Sequence, residues 1–203
     1  MVKVQELMNE IETKGGLTPA KKIRETAERF PELIAMREKN FGIWEEITYK
    51  QYWEQAQWIG CALNYFGIET QDSVAIHSEN RPEWFISDVA IQAIGAVSVG
   101  LYPTNPPSEV SYLIGHSESK ILFAEDQEQV DKALEVIEEL PELKKIIYFE
   151  SRGLTNYESP LLMTWEEFLQ IGKEEFEKNP NFVTDKLDLI EPEDVAIMVY
   201  TSG

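Results

Sequence analysis

The sequence predicts an α/β fold: a mostly parallel sheet flanked by helices. Two observations carry this. Five short apolar runs rich in β-branched residues recur along the chain, at residues 73–77 (SVAIH), 96–102 (AVSVGLY), 120–124 (KILFA), 145–149 (KIIYF) and 195–200 (VAIMVY). They mostly lack strict alternation, as strands buried on both faces do. The stretches between them have helical period, and strands alternating with helices imply right-handed βαβ units.

Each element has a local reason. Residues 1–40 read as a helical entry and residues 41–203 as the α/β portion. After Thr48, the apolar residues Tyr52, Ala56, Ile59, Leu63 and Phe66 fall three and four apart, which makes one helical stripe. Pro82 suits a first helical turn, and Trp84, Ile86, Val89, Ala90 and Ala93 follow it. Asn105 and Pro106 start a short helix bearing Val110, Leu113 and Ile114. Asp126 with Gln129 resembles a capping pair ahead of Val130, Leu134 and Ile137. Thr164 with Glu167 forms a capping box ahead of Phe168 and Leu169. Residues 150–194 break the rhythm, with turn-like Ser151-Arg152-Gly153 and Tyr157-Glu158-Ser159-Pro160 before that helix.

Composition narrows the class of protein. Across 203 residues, 43% hydrophobic and 11% aromatic content exclude disordered, collagenous and coiled-coil chains. A single cysteine, Cys61, cannot close an intramolecular disulfide, which fits a reducing cytosol. The first residues hold no apolar signal core, and the most apolar run, residues 89–102, is too short to span a bilayer. A soluble cytoplasmic protein without a transmembrane segment is expected. The net charge is −19, and residues 61–203 carry most of it, with 27 acidic against 9 basic side chains. Such a surface repels phosphate backbones, so nucleic acid is not an expected partner.

Few residues carry a chemical signal. His77 and His116, the only histidines, have no metal-ligand spacing around them. His77 ends an apolar run and reads as a satisfied core histidine. Cys61 reads as a small buried residue, and the glutamates of 135–142 and 166–177 as solvated helix faces. Neither a Gly-x-Gly-x-x-Gly nor a Gly-Lys-Ser/Thr loop occurs. What remains is Thr201-Ser202-Gly203, directly after the last strand. Small hydroxyl residues and glycine at the carboxyl end of a parallel strand can offer O–H and N–H donors to phosphate oxygens.

Tyr200-Thr201-Ser202-Gly203 resembles the opening of the phosphate-binding loop of the adenylate-forming superfamily. The motifs Ile47-Thr48-Tyr49, Asn80-Arg81-Pro82-Glu83-Trp84, Leu101-Tyr102-Pro103-Thr104-Asn105-Pro106 and Val110-Ser111-Tyr112-Leu113-Ile114 are similar to its acyl-CoA synthetase branch. Trp84 and the acidic connector before Tyr200 are most similar to long-chain fatty-acid–CoA ligases. The resemblance implies the amino-terminal part of the large AMP-binding domain, cut within the phosphate loop. It implies ATP, Mg²⁺ and CoA as cofactor and co-substrates, and a fatty acid as partner. It implies that Thr201 and Ser202 grip the ATP phosphates, that Thr201 also stands near Mg²⁺, and that Gly203 lets the backbone approach. No catalytic residue is transferred. The segment alone is expected to be inactive and to self-associate, and the parent enzyme to be cytoplasmic or peripheral at a membrane. An adenylating enzyme for another carboxylate, such as an amino acid, and a non-catalytic α/β interaction module remain alternatives.

Overall fold

The structure is a computed structural model that describes residues 18–201; residues 1–17, Ser202 and Gly203 lie outside the described residues. Helix α1 (Pro19–Arg29) starts where Thr18 accepts a hydrogen bond from the Lys21 N–H and proline fills the first turn. Strands β1 (Ile34–Asn40) and β2 (Ile43–Thr48) then form a two-stranded antiparallel hairpin. Residues 34–40 were expected within a helical entry, and that part of the boundary is corrected. Cross-strand pairing, such as Arg37 opposite Glu46, decides the conformation, and pairing between strands leaves no helical period to read.

Helix α2 (Tyr49–Tyr65) opens with a reciprocal capping box between Thr48 and Gln51. The rest of the chain alternates as expected: β3 (Ser73–His77), α3 (Pro82–Ala93), β4 (Val97–Leu101), α4 (Pro107–Ser117), β5 (Ile121–Ala124), α5 (Gln127–Glu135) and β6 (Lys145–Tyr148). It ends with β7 (Leu162–Thr164), α6 (Trp165–Lys178), α7 (Phe182–Asp188) and β8 (Ile197–Met198). The Thr164–Glu167 capping box is formed. Asp126 caps α5 through the Glu128 N–H, while Gln129 is buried and turns toward the Pro103 carbonyl instead of closing a box.

The main sheet has the order β7-β6-β5-β3-β4-β8, and every neighbouring pair is parallel. All of β3 and β5 is buried. Their side chains alternate between two apolar layers. Val74, Ile76, Ile121 and Phe123 face α1, α2, α3, α6 and α7; Ala75, Leu122 and Ala124 face α4 and α5. Apolar demand on both sides is why these runs show no polar alternation. Phe123 anchors an aromatic cluster, with Phe149, Trp165 and Phe168 at centroid distances of 5.5–6.1 Å.

Two strands depart from the sequence reading. β7, unforeseen, adds three half-buried residues beside β6. The run 195–200, expected to be buried on both faces, forms only a two-residue strand, and Val195, Ile197 and Val199 are exposed. Among the described residues β8 lies at the sheet edge, so an apolar sequence there has no second strand to bury against. Among the described residues no helix is long and apolar enough to cross a membrane.

Helix α6 crosses α2 at Gly172. A Cβ on Gly172 would stand 2.1 Å from the Trp58 carbonyl oxygen. Alanine is ordinarily better than glycine in a helix by about 1 kcal/mol. Gly172→Ala should nevertheless destabilise the fold by about 2–4 kcal/mol, because the helices must separate. Urea denaturation checks the sign; a stabilised variant would show that the crossing is looser than this.

Candidate functional site

The carboxyl ends of β4 and β8 define an open cleft of about 530 Å³. Gly100, Tyr102, Asn105, Glu109, Tyr112, Leu113, Tyr200 and Thr201 line it. A neighbouring hollow of about 310 Å³ shares Gly100, Tyr102 and Tyr200 and extends to Trp84, Ser78 and Asn80. A smaller apolar hollow of about 150 Å³, between Pro19, Gly95, Ile190 and Val195, opens at the amino-terminal end of the same strands. Ligands of open α/β sheets bind beyond the carboxyl ends, so the first two hollows are the candidates.

Thr201 is exposed on the wall of the larger hollow, one residue past Tyr200. Its expected companions, Ser202 and Gly203, are outside the described residues. The Tyr200 hydroxyl lies 2.8 Å from His116 Nδ1 and 3.0 Å from Met198 Sδ. The Tyr200 ring meets His116 and Tyr112 edge-on, at 5.6 and 6.5 Å. Burial, with the neighbouring Tyr112, raises the Tyr200 pKa, which keeps the hydroxyl protonated. This aromatic group ties the end of β8 to α4 and so sets where Thr201 begins.

On the opposite wall, Asn105 Nδ2 donates to Glu109 at 2.5 Å, and Asn105 Oδ1 is buried without a hydrogen-bond partner. The loop carrying Tyr102 and Pro103 is held from beneath. His77 Nε2 lies 3.1 Å from the Tyr102 carbonyl, and Lys132 Nζ donates to the Pro103 carbonyl at 2.6 Å. His77 is fully buried, and its Nδ1 has no partner, so the expected satisfied histidine is satisfied at one nitrogen only. Burial, helped by the Lys132 charge, pushes the His77 pKa down to about 4. Cys61 is buried and free, and burial pushes its thiol up to about 11, which leaves it unreactive at neutral pH.

The crevice between β3 and β5, where successive crossovers depart in opposite directions, is the usual ligand position in such sheets. Here it is filled. Glu125 accepts from the Glu79 N–H at 2.6 Å and from Ser78 Oγ at 3.2 Å. Arg81 pairs with Glu83 at 2.7 Å and Glu150 at 3.0 Å, and lies over the Phe149 ring. The open cleft therefore stands at the sheet edge. Among the described residues no group of three or more His, Cys, Asp or Glu side chains could hold a metal ion.

Sequence reasoning found Thr201 but missed Tyr102, Asn105, Glu109, Tyr112 and the His116–Tyr200 pair as cleft residues. His116 and Tyr200 are 84 positions apart, and no local pattern joins them.

Comparison with known proteins follows the same outline. The profile of a family described as AMP-binding enzyme matches residues 23–203. Long-chain-fatty-acid–CoA ligase ACSBG2 of Xenopus laevis is 33% identical over 184 residues, 89% of this chain and 24% of that protein. Long-chain-fatty-acid–CoA ligase ACSBG1 of Bos taurus is 31% identical over 178 residues, 88% of this chain and 24% of that protein. The chain thus spans about a quarter of the length of these curated relatives. The crystal structure of the anthranilate CoA ligase AuaEII in complex with anthranoyl-AMP superposes with a TM-score of 0.67 at 18% identity. It covers 91% of this chain and 31% of that one, a likeness of fold.

A pH test follows from His77. Unfolded histidine titrates near 6.5 and the folded residue near 4, so the unfolded chain binds the extra proton between these values. The contribution of His77 to stability is complete above pH ~6.5 and is lost as pH falls toward 4, by up to about 3 kcal/mol. His77→Gln should remove that portion of the pH dependence. Denaturation of both proteins across this window gives the difference; parallel curves would contradict a buried neutral imidazole.

Proposed function

The chain belongs to the AMP-binding, adenylate-forming enzyme family, and from that premise we propose that it is the amino-terminal portion of an AMP-forming long-chain fatty acyl-CoA synthetase. In this reading a fatty carboxylate attacks the α-phosphate of ATP, giving an acyl-adenylate and pyrophosphate, and the CoA thiol then displaces AMP. The observation that carries it is Thr201, exposed at the carboxyl end of β8 on the wall of an open cleft. Its hydroxyl has no hydrogen-bond partner among the described residues and could donate to a phosphate oxygen, and Ser202 and Gly203 would continue the loop around the phosphates. The names of the curated relatives support the fatty-acid substrate.

Magnesium, when bound with the nucleotide, would supply charge neutralisation at the phosphates. The Thr201 hydroxyl and the Glu109 carboxylate are oxygen donors of the kind it accepts, and beside substrate phosphates it needs only one or two from protein. The residues therefore fit, with Thr201 as the proposed protein contact. Acyl transfer in this scheme rests on positioning and charge stabilisation. The described residues contribute the first: His116 holds Tyr200, and His77 and Lys132 hold the facing loop.

Thr201→Val in a full-length ligase carrying this segment tests the reading. It keeps the branched shape and removes one charge-assisted hydrogen bond, worth about 1.5–3 kcal/mol. Fatty-acid-dependent exchange of pyrophosphate into ATP should fall on the order of ten- to a hundredfold. Thioester formation from pre-formed acyl-adenylate should change much less, since pyrophosphate has already left. Equal losses in both half-reactions, or none in either, would remove Thr201 from the phosphate site.

The 203-residue chain by itself has a second expected property. Val195, Ile197 and Val199 line the open edge of β8, and unpaired apolar edges associate. The chain should form dimers or larger species at micromolar concentration. Light scattering should return a monomer for Val199→Lys; a monomeric unsubstituted chain would refute the expectation.

A further inference from the structure

The β1–β2 hairpin carries a feature that neither the fold nor the cleft uses. Its turn is the two-residue Phe41-Gly42, with φ of 46° and 86°, between the paired residues Asn40 and Ile43. Two positive φ values mark a turn that favours Asn-Gly. A bulky aromatic residue in the left-handed region is a strained choice, and strain of this kind clusters at functional positions. Phe41 is also 100% exposed, and Ile43 and Trp44 beside it are 70% and 61% exposed. Nothing in the described fold packs against this tip, although every other phenylalanine of the chain is more than half buried.

The register sorts the neighbouring charges. Lys39 opposite Trp44, and Arg37 opposite Glu46, share one face; Glu38 opposite Glu45 lies on the other. Arg37 is ion-paired with Glu46, whereas Lys39 has no acidic partner among the described residues and lies 5.8 Å from the Trp44 ring centroid. Glu38 turns toward Arg81 and Glu83 on the body of the protein, where burial and the Glu83 charge raise its pKa. The tip therefore presents Phe41, Ile43 and Trp44 with an adjacent free cation. The acidic excess of the chain belongs to residues 61–203.

We propose that the hairpin tip is a membrane-contact site, with Phe41, Ile43 and Trp44 entering the interfacial region of a phospholipid bilayer and Lys39 lying among anionic headgroups. Three things on the tip select a bilayer over a protein. It is a convex point with no groove or flat face to complement. Its aromatic residues with a neighbouring cation are the side chains that settle at the bilayer interface. Approach through the tip brings Lys39 to an anionic surface together with Glu45, which accepts a hydrogen bond from Asn40, and keeps the strongly acidic residues 61–203 behind. The inference does not rest on the ligase reading and would hold for any activity of the cleft.

Co-sedimentation of the 203-residue chain with phosphatidylcholine vesicles, with and without about a third phosphatidylglycerol, tests it. The unsubstituted chain should bind, and more strongly to the anionic vesicles. Phe41→Asn supplies the turn with its favoured residue, so melting temperature should hold or rise while partitioning falls about tenfold; adding Trp44→Ser should cost about tenfold again. Trp44→Phe should keep binding but lose most tryptophan quenching by brominated lipid. Lys39→Glu should weaken binding to the anionic vesicles only. Failure of the unsubstituted chain to bind, or binding unchanged in the Phe41→Asn/Trp44→Ser chain, would overturn the proposal. So would lipid-free self-association abolished by those same substitutions, which would assign the tip to a second copy of the chain.

Discussion

Burial of both faces of β3 and β5 is the constraint on which the rest of this structure depends. Every residue of these strands is inaccessible, and each contributes alternately to two apolar layers. Because neither face can meet water, helices must cover both, and parallel pairing with right-handed crossovers follows. The aromatic cluster around Phe123 and the close passage of α6 over α2 at Gly172 are the means by which the thicker layer closes. Dense packing of this kind leaves no slack in the centre, so variation in exposure is pushed to the two ends of the strand order.

That geometry also places the cleft. The crevice between β3 and β5 holds the Arg81 and Glu125 hydrogen-bond and ion-pair groups, and these fix the loop after β3 to the start of α3 and to the ends of β5 and β6. Opening it would strand charged groups that now satisfy one another. At the β8 edge no such ion-pair network exists among the described residues, and the carboxyl ends of β4 and β8 border the hollow bearing Thr201. The neutral His77 beneath Tyr102 and the His116–Tyr200 contact above β8 brace its walls from two directions. Among the described residues that line this hollow, Glu109 is the one carboxylate.

The hairpin stands apart from both. It shares no strand with the main sheet, and its tip keeps a conformation that its own residue disfavours. No packing within the described fold offsets that strain, because Phe41 is fully exposed.

By itself the sequence determined the fold class, most of the order of the elements and the buried centre of the sheet, and it singled out Thr201 at the end of the last strand. Those features are written in local signals: β-branched runs without alternation, helical stripes, a capping box at Thr164, and a short motif at a strand end. The tertiary structure decided what depends on neighbours distant in sequence. It made residues 34–40 a strand through pairing with residues 43–48, added β7, and reduced the apolar run at 195–200 to an exposed edge. It brought Tyr102, Asn105, Tyr112 and His116 to the same cleft as Thr201 and left Phe41 outside every packed layer. Periodicity records how a segment meets its surroundings, but not which surroundings it meets; at a sheet edge and a hairpin tip, the surroundings are the missing information.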